Sequence, residues 1–166
     1  EKPWEIIQER VDEVVTVSDN EIAVALTYLL ERSKTLVEGA GAVALAAVLA
    51  ETFDYEENEV IVPALCGGNI DLNDLTTVVV RGLVQMGRYV KLRTELKDNP
   101  GSLGRLVEIV ADHNANIYGI QHDRTSRDVA MNAAEVVLDL ETHGHEHVDE
   151  ILAALQARGY EVETLV

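Results

Sequence analysis

Hydrophobic and polar positions in residues 1–87 predict mainly helices. Apolar residues recur at helical spacing between Ile22 and Leu30. Ser18 comes before this pattern and is followed three residues later by Glu21, which fits a capping box at a helix start. We therefore expect a helix that begins just after Ser18.

The remainder of this half combines a helix, an apolar strand and a region that is harder to assign. Residues 42–50 are apolar on nearly every face, so they predict a helix buried all round. Val60–Leu65 reads as a short buried strand that ends at Cys66 and two glycines. Residues 72–88 predict a helix, although the β-branched run at 76–80 weakens its propensity. These elements are typical of an α/β sheet domain, but one strand is too little to close such a domain.

The second half shows a regular alternation of strand and helix patterns. Period-two alternation predicts strands, and apolar spacing of three and four residues predicts helices. In order, the predicted elements are strand 90–97, helix 103–110, strand 116–122, strand 134–141, helix 148–155 and strand 162–166. Gly159 stands where a helix-ending glycine belongs. The order βαββαβ is the ferredoxin-like arrangement, so we expect an α/β portion at 1–87 followed by an α+β domain at 88–166.

Composition and charge exclude several kinds of partner. Hydrophobic residues make up 47% of the chain, which is enough for a packed core. The balance of 30 acidic against 13 basic residues gives a net charge of −17. Such a surface repels nucleic acid and anionic membranes, and no apolar run is long enough for a membrane span. The acid excess also fits a source adapted to high salt, and the single cysteine suits a reducing cytoplasm.

The glycine turn after the apolar strand has more than one reading. Gly67 and Gly68 would let the backbone approach a ligand or adopt positive φ, but an ordinary turn uses the same residues. Cys66 at a strand end is commonly a small apolar filler. No neighbouring histidine or basic residue suggests a reactive thiolate, and no second cysteine suggests a zinc site.

The second glycine turn, Asp98 to Leu103, makes a sharper prediction. Pro100 fixes φ, Gly101 opens the backbone, and Ser102 can cap the helix that follows. Unpaired amide groups at that helix start would suit a carboxylate. A β-to-α turn without a ligand explains the pattern equally well.

Other polar residues are weaker candidates. His143, His145 and His147 alternate at a predicted helix start, where the spacing favours surface positions over a metal site. Residues 123–128 predict a charged hairpin loop that is solvated. We therefore expect no metal site.

Two ordered motifs resemble a known family. The sequences VEGAGA (37–42) and LCGGNID (65–71) resemble the end of the catalytic domain of threonine ammonia-lyases, which are fold type II pyridoxal-phosphate enzymes. Residues 81–166 resemble the ACT regulatory domain often fused behind it, through the turn at 98–103, Ala115–Ile117 and Gln121–Arg124. The resemblance implies conversion of threonine to 2-oxobutanoate and ammonia, and it places residues 1–87 at the back of a longer domain.

The resemblance also implies a cofactor wall. The residues it assigns to pyridoxal phosphate are Glu38, Gly39, Cys66, Gly67, Gly68 and Asn69. In the family, the residue at the position of Cys66 hydrogen-bonds the pyridine nitrogen, and a neutral partner makes the ring a milder electron sink. The family's Schiff-base lysine does not match any lysine here, since the four are Lys2, Lys34, Lys91 and Lys97. We therefore expect this chain alone to be catalytically incompetent.

For the ACT half, the resemblance implies a regulatory amino acid bound where the turn of one subunit meets strand 2 of another. The residues assigned to this site are Asn99, Pro100, Gly101, Ser102 and Leu103 in the turn, with Asn116, Ile117 and Tyr118 at the facing edge. Isoleucine is the expected effector and valine the second choice, in a homo-oligomer formed through exposed sheet edges. A stand-alone amino-acid-binding module and a serine dehydratase or racemase of the same fold are the alternatives.

Overall fold

The computed structural model describes residues 2–125 and 130–166, and the chain divides into two compact units. The first unit is Glu1–Gly82 and the second is Leu83–Val166. Ser126 to Asp128, the last part of the hairpin loop predicted at 123–128, lie outside the described residues.

Helices account for the regular structure of the first unit. They are α1 (Lys2–Arg10), α2 (Asp19–Tyr28), a π-helical turn (Leu29–Ser33), α3 (Gly39–Leu49) and α4 (Leu72–Gln85), which continues past the end of the unit. Its core is formed by Ala25, Leu26, Leu29, Val37, Ala42 and Ala46. Small side chains on α2 and α3 let these two helices approach closely.

The predicted capping box at the start of α2 is confirmed. The Glu21 backbone N–H donates to Ser18 Oγ at 3.3 Å, and the Ser18 N–H donates to Glu21 Oε2 at 2.5 Å. These two bonds satisfy backbone donors that the first helical turn cannot pair internally.

Two predictions for this unit are wrong. Val60–Leu65 does not form a strand, and Val60 and Val62 are 85% and 82% exposed. A strand needs a partner for its backbone hydrogen bonds, and no described residue before Gly82 forms one. Helix α3 begins at Gly39, and it is not buried all round, because Val43 and Leu49 are exposed while Ala42 and Ala46 lie against α2.

The second unit has the predicted βαββαβ order. Its elements are β1 (Tyr89–Lys97), α5 (Ser102–Asp112), β2 (Asn116–Asp123), β3 (Ala133–Glu141), α6 (His145–Ala157) and β4 (Val162–Thr164). The strands form one antiparallel sheet in the order β2-β3-β1-β4. The two central strands, β1 and β3, are adjacent although α5 and β2 separate them in sequence, so the ferredoxin-like prediction is confirmed.

One face of this sheet carries the core. Inward residues of β1 and β3 alternate with polar outward residues, as the period-two pattern predicted. The buried side chains are Val90, Leu92 and Leu96 of β1, Ala134, Val136, Leu138 and Leu140 of β3, and Leu106, Ile109, Val110, Ile151 and Leu155 of the helices. Both helices therefore cover the same face of the sheet.

The end of α6 follows the predicted glycine signal. Gly159 has φ +84°, its N–H donates to the Gln156 carbonyl at 2.9 Å, and the Tyr160 N–H donates to the Leu155 carbonyl at 3.1 Å. This pair of bonds is a Schellman motif. The chain then returns as β4, which is shorter than the predicted strand 162–166, although Leu165 still donates to the Lys91 carbonyl at 2.8 Å.

Candidate functional sites

The start of α3 meets the glycine turn after Cys66. The Glu38 N–H donates to the Gly67 carbonyl at 3.4 Å, and Glu38 is the residue that precedes α3. Gly67 has φ +71°, and a Cβ there would overlap the Glu38 carboxylate. A Cβ on Gly41 would overlap the Cys66 carbonyl oxygen. Glycine is therefore required on both sides of this contact.

This contact brings most of the predicted cofactor residues to one surface. Glu38, Cys66 and Gly67 adjoin one another, with Gly39 in the first turn of α3. Gly68 and Asn69 continue the chain and are exposed. Cys66 is also exposed, so it is not the buried filler that the pattern allowed. An exposed thiol beside a glycine backbone has the chemistry to hydrogen-bond the ring nitrogen of pyridoxal phosphate, so the residues present are compatible with the predicted wall of such a site.

The lysines of this chain lie on elements other than the glycine turn and the start of α3. In the first unit, Lys34 follows the π-helical turn with φ +56°, and its Nζ donates to the Glu31 carbonyl at 2.9 Å. Lys91 and Lys97 lie on β1 in the second unit. The sequence positions of these lysines do not match the motif that carries the family's reactive amine.

The turn between β1 and α5 forms the second candidate site. Gly101 precedes the helix with φ +85°, and the Ser102 N–H donates to the Asn99 carbonyl at 3.1 Å. Ser102 does not cap α5, which corrects the sequence prediction. It lies inside the first turn, 5% exposed, and its Oγ accepts from Arg105 Nη2 at 2.9 Å. Gly101 takes the cap position because the chain enters the helix with positive φ, which disfavours a serine there.

A groove of about 420 Å³ opens beside this turn. Its lining residues are Leu96, Asp98, Asn99, Pro100, Gly101, Leu103, His122 and Arg124. The turn residues predicted from the sequence line it, apart from Ser102, which faces the neighbouring groove beside Arg105. Asp98, His122 and Arg124 were not predicted as site residues. Two signals in the sequence could have identified them. Asp98 is the first residue of the predicted turn, and the run Gln121–Arg124 is part of the family resemblance.

The other predicted regulatory residues lie at the opposite end of β2. Asn116 Nδ2 donates to Glu141 Oε2 at 2.8 Å, and Ile117 packs partly into the core. Tyr118 is the extra residue of an irregularity in the β2–β3 pairing and is 72% exposed. The structure therefore does not bring these three residues into the groove of the same chain.

A small polar cluster surrounds this end of β2 on the outer face of the sheet. The Tyr118 ring lies edge-on to Tyr89, with centroids 6.2 Å apart. Burial raises the pKa of Tyr89, and a hydrogen bond to Asp139 adds to the effect. Gly119 faces Asp139, whose carboxylate also pairs with Lys91 Nζ at 3.2 Å. The contacts of Tyr118 and Gly119 link the edge strand β2 to the central strands β1 and β3.

The histidines near α6 form local contacts. His143 and His145 are exposed as predicted, and the His143 N–H donates to His147 Nδ1 at 3.1 Å. His147 Nε2 lies 2.6 Å from the His113 carbonyl oxygen, and His145 Nε2 lies 3.0 Å from that of Gln85. Within the part of the chain that the structure describes, no three histidine, cysteine or acidic residues are arranged to hold a metal ion. In the same residues, no helix is both long and apolar enough to cross a membrane.

Comparison with known families gives a separate match in each half of the chain. Residues 1–67 match the family of pyridoxal-phosphate dependent enzymes, and residues 86–158 match the ACT domain family. The front of the chain is therefore similar to part of a pyridoxal-phosphate dependent enzyme, and the rear is similar to an ACT domain.

Individual relatives are more specific. The chain is 50% identical over 161 residues to the L-threonine ammonia-lyase of Geobacter sulfurreducens, which covers 96% of the chain and 40% of the relative. It is 42% identical over 159 residues to the L-threonine ammonia-lyase of Thermotoga maritima, covering 96% of the chain and 39% of the relative. Over 45% of the chain and 23% of the relative, it is 42% identical to the catabolic L-threonine dehydratase TdcB of Escherichia coli K12. The resemblance to threonine ammonia-lyases is confirmed, and the chain spans about two fifths of the length of the Geobacter and Thermotoga enzymes.

Proposed function

We propose that this chain is part of a pyridoxal-phosphate-dependent threonine ammonia-lyase and carries its regulatory domain. The observation that carries the proposal is the 50% identity to such an enzyme, which extends over 96% of the chain and so includes both units. The whole protein would convert L-threonine to 2-oxobutanoate and ammonia. The ACT domain would bind a free amino acid and adjust that activity.

Pyridoxal phosphate, when bound, supplies an electron sink for bond cleavage at the amino acid's α-carbon. The contribution of this chain is one wall of the site. The Cys66 thiol would face the ring nitrogen as a neutral hydrogen-bond partner, and Gly67, Gly68 and Asn69 would let the backbone pass close to the ring. The Glu38–Gly67 hydrogen bond holds this wall against the start of α3.

The reactive lysine of the family has no counterpart among the lysines of this chain. Covalent attachment of the cofactor needs a positioned amine, and none of the four lysines follows the family's motif. The proposal therefore assigns catalysis to the complete protein and none to the 166-residue chain alone.

For the ACT domain, we expect L-isoleucine to bind and L-valine to be the second choice. The β1–α5 turn supports this proposal because its groove combines polar turn residues with Leu96 and Leu103. Titration calorimetry with both amino acids tests the regulatory part. Heat of binding at a single site is expected, and no heat with either amino acid would contradict it.

Association of copies belongs to the same proposal. Strands β2 and β4 are the edges of the sheet, and an edge offers unpaired backbone groups to a second chain. Residues 116 to 118 of a second copy would then lie next to the residues of the β1–α5 turn. Analytical ultracentrifugation with and without isoleucine tests this point, and a monomer under both conditions would oppose it. A domain boundary at 87/88 and a cytoplasmic location complete the proposal.

The catalytic part is tested on the product of the complete coding region. Purified with pyridoxal phosphate, it should release 2-oxobutanoate from L-threonine more efficiently than pyruvate from L-serine, judged by kcat/KM. A marked preference for serine would favour the serine dehydratase alternative, and racemisation without ammonia release would favour a racemase.

A further inference from the structure

The groove beside the β1–α5 turn contains an ion pair whose two charges match those of an amino acid. Arg124 Nε lies 3.1 Å from Asp98 Oδ1. We propose that Arg124 binds the α-carboxylate of the regulatory amino acid and that Asp98 binds its α-ammonium group. This inference rests on the proposed amino-acid regulation and assigns the recognising residues of that site.

Both residues line the groove, but they come from distant parts of the sequence. Asp98 follows β1 directly, and Arg124 follows β2. The Arg124 side chain is 64% exposed and the Asp98 side chain is 29% exposed. A ligand in the groove can therefore reach the guanidinium from solvent while the carboxylate stays partly shielded.

Hydrogen bonds fix the backbone on each side of the pair. The Asp98 N–H donates to the Asn132 carbonyl at 2.8 Å, and the Asn99 N–H donates to the Lys97 carbonyl at 2.8 Å. After Arg124, both the N–H and the Oγ1 of Thr125 donate to Asp123 Oδ1 at 2.7 Å. These bonds order the backbone beside each charged residue before any ligand arrives, which lowers the ordering cost of binding.

The ion pair has capacity left for a ligand. Its contact uses the Nε of Arg124, and a guanidinium carries further N–H donors on its two Nη atoms in a fork that fits a carboxylate. The contact uses Oδ1 of Asp98, and the second carboxylate oxygen can accept from an ammonium group. A zwitterion can thus bind across the pair without breaking it.

The rest of the groove limits the side chain of the ligand. Leu96 and Leu103 supply apolar surface beside the pair, and Pro100 adds to it. A volume of about 420 Å³ lies at the lower end of the range for small-molecule sites. The combination suits an α-amino acid with a short aliphatic side chain.

The test compares an amino acid with two analogues, each of which lacks one of its two charged groups. L-Isoleucine carries both charges, L-isoleucinamide lacks the carboxylate, and the corresponding 2-hydroxy acid lacks the ammonium group. Calorimetry measures each ligand with the unmodified chain and with the R124Q and D98N variants. The matched controls are R158Q and D112N, which make the same chemical changes outside the groove. L-Valine and its two analogues are titrated in parallel.

The proposal predicts a specific pattern of losses. The unmodified chain and both controls should bind the amide and the hydroxy acid at least about tenfold more weakly than the amino acid. R124Q should bind the amino acid and the amide equally while still rejecting the hydroxy acid. D98N should bind the amino acid and the hydroxy acid equally while still rejecting the amide.

Other results overturn the inference. Undiminished discrimination in either variant would show that its charge does not face the ligand. Equal weakening of all three ligands would show that the substitution only disturbs the shape of the turn. If the unmodified chain binds the amino acids but a variant shows undiminished discrimination or equal weakening, the assignment of Arg124 and Asp98 fails. The proposed regulation by an amino acid would still stand. If the unmodified chain binds neither amino acid, the proposed regulation itself fails.

Discussion

The backbone carbonyl of Cys66 lies directly against Gly41, where a side chain on residue 41 would have to be. This relationship joins α3 to the glycine turn, because the Glu38 N–H also donates to the Gly67 carbonyl on the adjoining residue. The candidate cofactor wall therefore depends on the close approach of two backbone segments, and the conformation of the turn depends on the start of α3.

The G41A substitution should destabilise the first unit. The added methyl group would overlap a backbone carbonyl that has no rotamer by which to move away, so the expected loss is about 1–3 kcal/mol. Urea unfolding followed by circular dichroism measures it. G39A is the control on the same helix, since the nearest atom to its new Cβ would be Ile22 Cγ2 at 3.8 Å. Equal stability of G41A and G39A would contradict the close approach.

The capping box predicts how the stability of the first unit depends on pH. The Ser18 backbone N–H, followed by the Ser18 side chain, lowers the pKa of Glu21 below its ordinary value of 4.5. Because the folded-state pKa is the lower one, this contribution is complete above about pH 4.5 and is lost as the pH falls through the folded pKa. Thermal unfolding of E21Q should lack this part of the acid dependence. E13Q, at an exposed position, should keep it, and identical profiles for both variants would refute the role of Glu21.

Thr142 should stabilise the second unit through one buried hydrogen bond. Its Oγ1 donates to the Gly87 carbonyl at 2.6 Å, and the residue is only 7% exposed. T142V keeps the shape but leaves that carbonyl without its donor, which should cost about 1–3 kcal/mol. T164V is the control at an exposed position of the same unit. Denaturant unfolding compares the two variants, and a loss for T142V no larger than that for T164V would be inconsistent with the bond.

The second unit was predictable because its evidence is local. The alternation of apolar and polar residues from Val90 to Lys97, like the later helical and strand patterns, specifies which face of each element is buried. A βαββαβ order then leaves few ways to pack those faces together. The capping box at Ser18 and the glycine signal at Gly159 are likewise read from residues three or four positions apart. Each of these features appears in the structure.

The features that sequence reasoning missed depend on distant partners. An apolar run such as Val60–Leu65 predicts a strand only if other strands pair with it, and the sequence pattern does not show whether they do. Ser102 has the composition of a helix cap, but the positive φ of Gly101 moves the cap position by one residue. Asp98 and Arg124 meet only because β1 and β2 end at the same end of the sheet, beside the groove. This arrangement follows from the order and register of the strands.

The central claim is that this chain alone lacks the reactive lysine of the complete enzyme. It is tested most directly by measuring whether the chain attaches pyridoxal phosphate covalently. The chain is incubated with the cofactor and L-threonine, treated with borohydride and mapped by peptide mass spectrometry, while 2-oxobutanoate is measured before reduction. None of Lys2, Lys34, Lys91 and Lys97 should carry a stoichiometric label, and no 2-oxobutanoate should form. A full label on a single lysine together with turnover of threonine would contradict the claim.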